Sequence, residues 1–354
     1  MTDKGMSLKV NSLLRLCVQQ GGSDLHLVPN GQPLLRIDGN LRRLGEPDLS
    51  AADVGDMLLE LMNEQQKKLY QKRLDVDFAH SSKGIGRFRV NAFHQYHGQA
   101  AALRFIPDQV PELSSLTANP VFERLTHCSN GIILITGPSG SGKSTTAAAM
   151  LERVNKSQSK HIITIEDPIE FIYKPKKCLF SQRGVGHEVA DFQGALRSAL
   201  REDPDIILVG EIRDSKTARL AMTAAETGHL VVASLHTASA AKAVDRMLDL
   251  FAEADKSTVR GLLSQSLRAV LAQKLVPKQG GGRIAVHEIL ISTVAVQNLV
   301  RQGRTDQLAS VIETSTDLGM QTFEQHLRQL KDCQIITPEV YQRVVEETGS
   351  TARF

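Results

Sequence analysis

Tryptophan is absent from this 354-residue chain, and aromatic residues make up only 4% of it. Surfaces that hold single strands of nucleic acid by stacking need a run of aromatics, and there is none. Cysteine is scarce too: Cys17, Cys128, Cys178 and Cys333 are widely scattered, with no C-x-x-C pair. That argues against a zinc site and predicts a reducing compartment. No apolar run approaches the roughly 20 residues that span a bilayer. The opening M-T-D-K-G-M-S-L-K-V lacks the apolar core of a secretory signal. Excess charge of one sign is also missing. With 42 basic and 39 acidic residues the net charge is only +3, so no basic footprint argues for nucleic acid. The expectation is a cytoplasmic protein, long enough for two domains.

What is present is organised around G-I-I-L-I-T-G-P-S-G-S-G-K-S-T-T-A-A-A-M, residues 131–150. The apolar run Ile132 to Ile135 reads as a buried strand. Gly137, Pro138, Ser139, Gly140, Ser141, Gly142, Lys143 and Ser144 complete a G-x-x-x-x-G-K-[ST] phosphate loop, and Thr145 follows in an alanine-rich helix start. Glycines let successive N–H groups turn inward around phosphate oxygens. The helix start adds partial positive charge. Lys143 can reach the β- and γ-phosphates, and the Ser144 hydroxyl can ligate Mg²⁺. A nucleoside triphosphate site is the reading.

Before the loop, residues 5–19 suggest an amphipathic helix and Asp24 to Val28 a strand. Residues 32–44 read as a hairpin about Asp38-Gly39, and Ser50 caps a helix running to about Leu69. Residues 76–79, 87–96 and 99–106 are further strand candidates. This predicts a small, mostly antiparallel α+β domain over 1–106, then a proline-bearing linker over 107–119. From 120 to 354, strands alternate with helices, the signature of a parallel α/β core. Strands are predicted at 162–165, 205–211, 229–236 and 284–290, a hairpin-like excursion at 171–186, and two helices between Ala240 and Gln273.

Ligands of open α/β sheets lie outside the carboxyl ends of the strands, and three polar clusters fall there. Glu166-Asp167-Pro168-Ile169-Glu170 offers a carboxylate to orient or deprotonate water. Glu211 follows the apolar run Ile206 to Val209, where an acid needs a cation; Mg²⁺ is one answer and an ion pair with Arg213 the other. His229 and His236 stand seven residues apart, roughly 23 Å on a regular strand and on opposite faces. His236, at the carboxyl end, is the better γ-phosphate contact; His229 suits a subunit contact or the core. Arg87, Arg89 and Arg104, on adjacent strands of the first domain, read either as a solvated face or as cations offered to a neighbour's nucleotide.

Together these segments resemble the secretion ATPase superfamily of type IV pilus and type II secretion machines, and within it the PilT-type pilus retraction ATPases. G-G-S-D-L-H-L, R-F-R-V-N-A-F and L-R-F-I-P mark the first domain, and I-T-I-E-D-P-I-E-F is similar to the family's Asp box. R-E-D-P-D-I-I-L-V-G-E-I-R-D is similar to its Walker B region, and T-G-H-L-V-V-A-S-L-H-T to its His box. The resemblance implies a RecA-like P-loop ATPase core behind a PAS-like N-terminal domain. It implies a homohexamer that hydrolyses ATP with Mg²⁺ to power pilus retraction. It further implies association with the inner membrane through a pilus platform protein. By position, Lys143 and Ser144 take phosphate and Mg²⁺, Glu170 is the water-activating acid, Glu211 the Walker B acid, and His229 and His236 the His-box residues. Arg87, Arg89 and Arg104 are candidate trans cations. Gln297 stands where the family's A-I-R-N-L-I motif has arginine. The alternatives are an accessory, assembly or secretion ATPase, and, further off, a RecA-like nucleic-acid translocase.

Overall fold

The computed structural model describes residues 9–107, 109–186 and 188–347. They divide into two compact units, one ending at Gln109 and one starting at Val110.

The first unit is built from α1 (Val10–Gln19), β1 (Asp24–Leu27), β2 (Leu34–Ile37), β3 (Asn40–Arg43), α2 (Ala51–Leu61), α3 (Glu64–Arg73), β4 (Asp75–Ser82), β5 (Gly86–Gln95) and β6 (Gly98–Ile106). Its strands form one antiparallel sheet in the order β3-β2-β1-β6-β5-β4. Asp38 and Gly39 both have positive φ (49° and 87°), the geometry of a tight turn that matches strand twist, and the hairpin closes Ile37 onto Asn40. The helix expected from Ser50 to about Leu69 is two helices. Asn63 accepts from the Gln66 N–H while Gln66 Oε1 accepts from the Asn63 N–H. This capping box starts α3 afresh after Met62 leaves helical geometry.

The second unit opens with α4 (Leu113–Leu116), inside the expected linker, and α5 (Val121–Leu125). The core follows as β7 (Gly131–Thr136), α6 (Lys143–Ser157), β8 (His161–Glu166), β9 (Leu179–Gly184), α7 (Phe192–Ala199), β10 (Ile206–Val209), α8 (Ser215–Glu226) and β11 (Leu230–Leu235). Then come α9 (Ala240–Asp249), α10 (Glu253–Ser266), β12 (Leu267–Pro277), β13 (Arg283–Ile291), α11 (Val294–Gln302), α12 (Leu308–Thr314), α13 (Phe323–Asp332) and α14 (Pro338–Glu347). The sheet runs β13-β12-β7-β11-β10-β8-β9, parallel except for β13. Helices cover both faces, as parallel sheets require. Ile132 and Leu134 of β7 pack with residues of α8, α9 and α10, whereas Ile133 and Ile135 pack with residues of α5 and α6.

Two sequence expectations are corrected here. Residues 267–277 are a strand beside β7, not the end of a helix: β12 is buried on both faces, which erases the alternation that marks a half-exposed strand. The excursion at 171–186 is not a hairpin; its second half, β9, adds to the sheet parallel to β8. Asn155, fully buried on α6, pins its first half by bonding the Lys174 carbonyl and the Lys176 N–H.

The edge strand β13 is covered at its outer side. The His287 N–H donates to His326 Nδ1 at 2.9 Å, and Gln321 Nε2 donates to the His287 carbonyl at 3.2 Å. The His287 ring is fully buried against Phe122, and burial pushes its pKa down to about 3. The unfolded chain takes up that proton near pH 6.5 and the folded chain only near 3, so stability rises with pH across the interval. Between pH 7 and pH 5 the protein should lose about 2 kcal/mol at this site. Denaturant titrations of wild type and His287→Phe at the two pH values check this, the variant losing most of the difference.

Candidate functional site

Thr136 ends β7, and the chain turns at Gly137 into a loop that closes at Gly142 before α6 begins with Lys143. Gly137, Gly140 and Gly142 all have positive φ, 151°, 75° and 87°. At Gly137 a Cβ would lie 2.2 Å from the Gln273 carbonyl oxygen, so close approach as well as φ demands glycine. Pro138, Ser139 and Gly140 form the exposed rim, Ser141 is buried, and Thr145 is half-buried. Ser144 is exposed in the first turn of α6, beside the helix N-terminus. Thr136 Oγ1 accepts from the Thr237 N–H at 2.9 Å, tying the loop's entry to the end of β11.

Lys143 is only 8% exposed, and its ammonium donates to the Gly137 and Pro138 carbonyls at 2.8 and 3.0 Å. Burial lowers its pKa, while the charges of Glu170 and Glu211 oppose the shift. The two acids named from the sequence therefore share an electrostatic site with the loop lysine. Glu170 is half-buried, and its N–H donates to the Glu166 carboxylate at 3.3 Å. Glu166 is buried at the end of β8 and lines a cavity of about 30 Å³ with Lys143, Ser144, Tyr173 and Ser234.

Glu211, 15% exposed, is ion-paired with Arg213, the alternative partner foreseen for it. Its other oxygen stands 3.4 Å from His236 Nε2. His236 is depressed in pKa, by burial first and then by the Lys143 charge, with Glu211 opposing. It is therefore a neutral imidazole near pH 7, able to donate one hydrogen bond.

His229 is not brought to the loop. It sits before the amino end of β11, where its carbonyl accepts from the Gly131 N–H and its Nδ1 lies 3.0 Å from the Ala224 carbonyl. A whole strand, β11, separates it from His236 within the chain. Arg87, Arg89 and Arg104 lie in the first unit. Arg89 and Arg104 face each other across β5 and β6, yet each is paired with a carboxylate, Arg89 with Asp77 at 2.6 Å and Arg104 with Asp24 at 2.9 Å. Those acids neutralise what would otherwise be repelling neighbours.

One residue of the site escaped sequence reasoning. Gln273 of β12 bonds both Ser141 and Thr146, and the helix expected there hid it.

The arrangement is that of a phosphate-binding loop at the carboxyl end of a central parallel strand, ringed by two acids and a neutral histidine. The model of the type II/IV secretion system protein family matches residues 3–342. The type IV pilus retraction ATPase PilT of Pseudomonas aeruginosa is 49% identical over 323 residues, covering 91% of this chain and 94% of its own. A twitching motility protein of Neisseria gonorrhoeae is 46% identical, covering 98% and 92%. Among solved structures, the pilus retraction motor PilT with bound ADP superposes with a TM-score of 0.83 at 42% identity, covering 95% and 96%. The fold is thus that of a RecA-like secretion ATPase. The chain belongs to the type II/IV secretion system protein family, as an ATP hydrolase of the pilus retraction type.

Proposed function

We propose that this chain is a homohexameric motor that hydrolyses ATP to retract type IV pili, working at the cytoplasmic face of the inner membrane on a platform protein. The observation that carries the reading is Lys143, desolvated in the phosphate loop within the fields of Glu170 and Glu211. Among the described residues no helix is long and apolar enough to cross a membrane, which supports attachment through partners.

In this reading the loop N–H groups and the α6 N-terminus hold the β- and γ-phosphates, and Lys143 leaves the Gly137 and Pro138 carbonyls to neutralise charge between them. Glu170 takes a proton from the attacking water as its oxygen bonds to the γ-phosphorus, and the bond to the β-phosphate oxygen breaks to leave ADP. Neutral His236 donates a hydrogen bond to the γ-phosphate. Arg87, Arg89 and Arg104 complete the charge from a neighbouring subunit, exchanging Asp77 and Asp24 for phosphate.

Among the described residues no group of three or more His, Cys, Asp or Glu forms a metal site. That fits Mg²⁺ entering with the nucleotide, because the Ser144 hydroxyl and the Glu211 carboxylate are the hard oxygen donors it prefers. Ser144 and Glu211 would hold it, Glu211 giving up Arg213. The ion would supply charge neutralisation on the phosphates.

Deleting the gene and counting surface pili tests the direction of work. A retraction motor predicts excess fibres with loss of twitching; bare cells would assign the chain to assembly instead.

A further inference from the structure

The phosphate loop is anchored from below by a side chain that no motif marks. Gln273 is 2% exposed. Its Nε2 donates to the Ser141 carbonyl at 2.6 Å, and its Oε1 accepts from the Thr146 hydroxyl at 2.7 Å. Its main-chain carbonyl oxygen would stand 2.2 Å from a Cβ on Gly137, and its Nε2 2.8 Å from one on Gly142. One residue therefore meets the loop's first and last glycines, the serine between them and the first turn of α6.

We propose that Gln273 is a positioning residue for the ATP reaction, setting the curvature of the phosphate loop from β12. The inference rests on the phosphate-loop reading of 137–144. In a trans peptide the C=O and the following N–H point in opposite directions. Holding the Ser141 carbonyl onto Gln273 turns that acceptor away from the phosphates, which it would repel, and aims the Gly142 N–H the opposite way. The same amide holds Thr146, three residues beyond Lys143, so the helix start that carries the lysine is fixed to the same point. The chemistry selects glutamine: one planar group supplies a donor toward the loop and an acceptor toward the helix. Glutamate would face the Ser141 carbonyl with a second acceptor and place negative charge beside the phosphates. Gln273 is itself held in place by the sheet. Its neighbour Ala272 pairs with Thr136 of β7, and Gln273 pairs with His287 of β13.

The test uses the full chain and ATP. Gln273→Met keeps length and apolar volume and removes both hydrogen bonds. It should raise KM for ATP at least about tenfold and lower kcat severalfold, with the melting temperature within a few degrees of wild type. Thr146→Val should give a smaller rise in KM that Thr146→Ser reverses. The double variant Gln273→Met with Thr146→Val should be no worse than Gln273→Met alone, since both act through one contact. A folded Gln273→Met with wild-type KM and kcat overturns the proposal. So does a loss of rate that merely matches the folded fraction while KM stays normal. Should Gln273→Met fail to fold, the Thr146 pair decides: a raised KM in Val restored by Ser supports the proposal, and a wild-type KM in Val defeats it. Lys143→Ala runs alongside. Wild-type turnover in that variant would sink the phosphate-loop reading itself, and this proposal with it.

Discussion

Gly137→Ala is expected to lower affinity for ATP by about 10- to 100-fold while the protein stays folded. The added methyl would lie 2.2 Å from the Gln273 carbonyl oxygen and 2.7 Å from Ser141 Oγ, on a residue whose φ is 151°. The first obstacle is main chain of β12, which is paired on both sides, so the sheet does not yield. The loop yields instead. Backbone forced out of a sparsely populated region stores or releases about 1–3 kcal/mol, and each 1.4 kcal/mol is tenfold in affinity. Because the exposed stretch Pro138 to Gly140 can shift while β7 and β12 stay paired, most of this appears as lost phosphate binding. Titration with a fluorescent ADP analogue, next to a thermal melt, separates the two: unchanged affinity would show that the loop's curvature is not what binds nucleotide.

The parts of this molecule that the sequence reveals are those with a local cause. The phosphate loop is one. Its glycines, lysine and serine sit at fixed offsets because they all serve one group of phosphates, and the apolar run before it has to be buried. The Asp38-Gly39 hairpin is another. The strand β12 was hidden for a physical reason: buried on both faces, Leu267 to Pro277 has no period of two and reads equally as a helix. Missing the strand meant missing Gln273, whose role depends on which strand lies beside β7. The break between α2 and α3 was legible in principle, since Asn63 and Gln66 carry the spacing of a capping box. The Glu211–Arg213 pair shows the opposite case. Spacing suggested both partners for the acid, and only the folded geometry shows Arg213 and His236 on its two oxygens. The separation of His229 from His236 was predictable from strand geometry alone, and the fold bears it out by leaving His229 beside Gly131.

Lys143→Ala should abolish turnover, by roughly 10²–10³-fold or more, the scale of losing one preorganised charge donor from a transition state. The ammonium has little water of its own, since it is buried between the loop carbonyls and shifted downward in pKa by that burial. A charge in so dry a place acts strongly on phosphate oxygens. Removing it takes away a cation that Glu170 and Glu211 both act on beside an incoming polyanion, so the loss exceeds that of one hydrogen bond. The fold should survive, because alanine suits the first turn of α6 and the apolar residues of β7 on both faces are untouched.

The measurement that tests the central claim most directly is phosphate release from ATP by the purified chain, wild type against Lys143→Ala at equal folded concentration. The account predicts steady turnover in the first and none above background in the second. Equal rates in both would place the hydrolysis somewhere other than the loop at the end of β7.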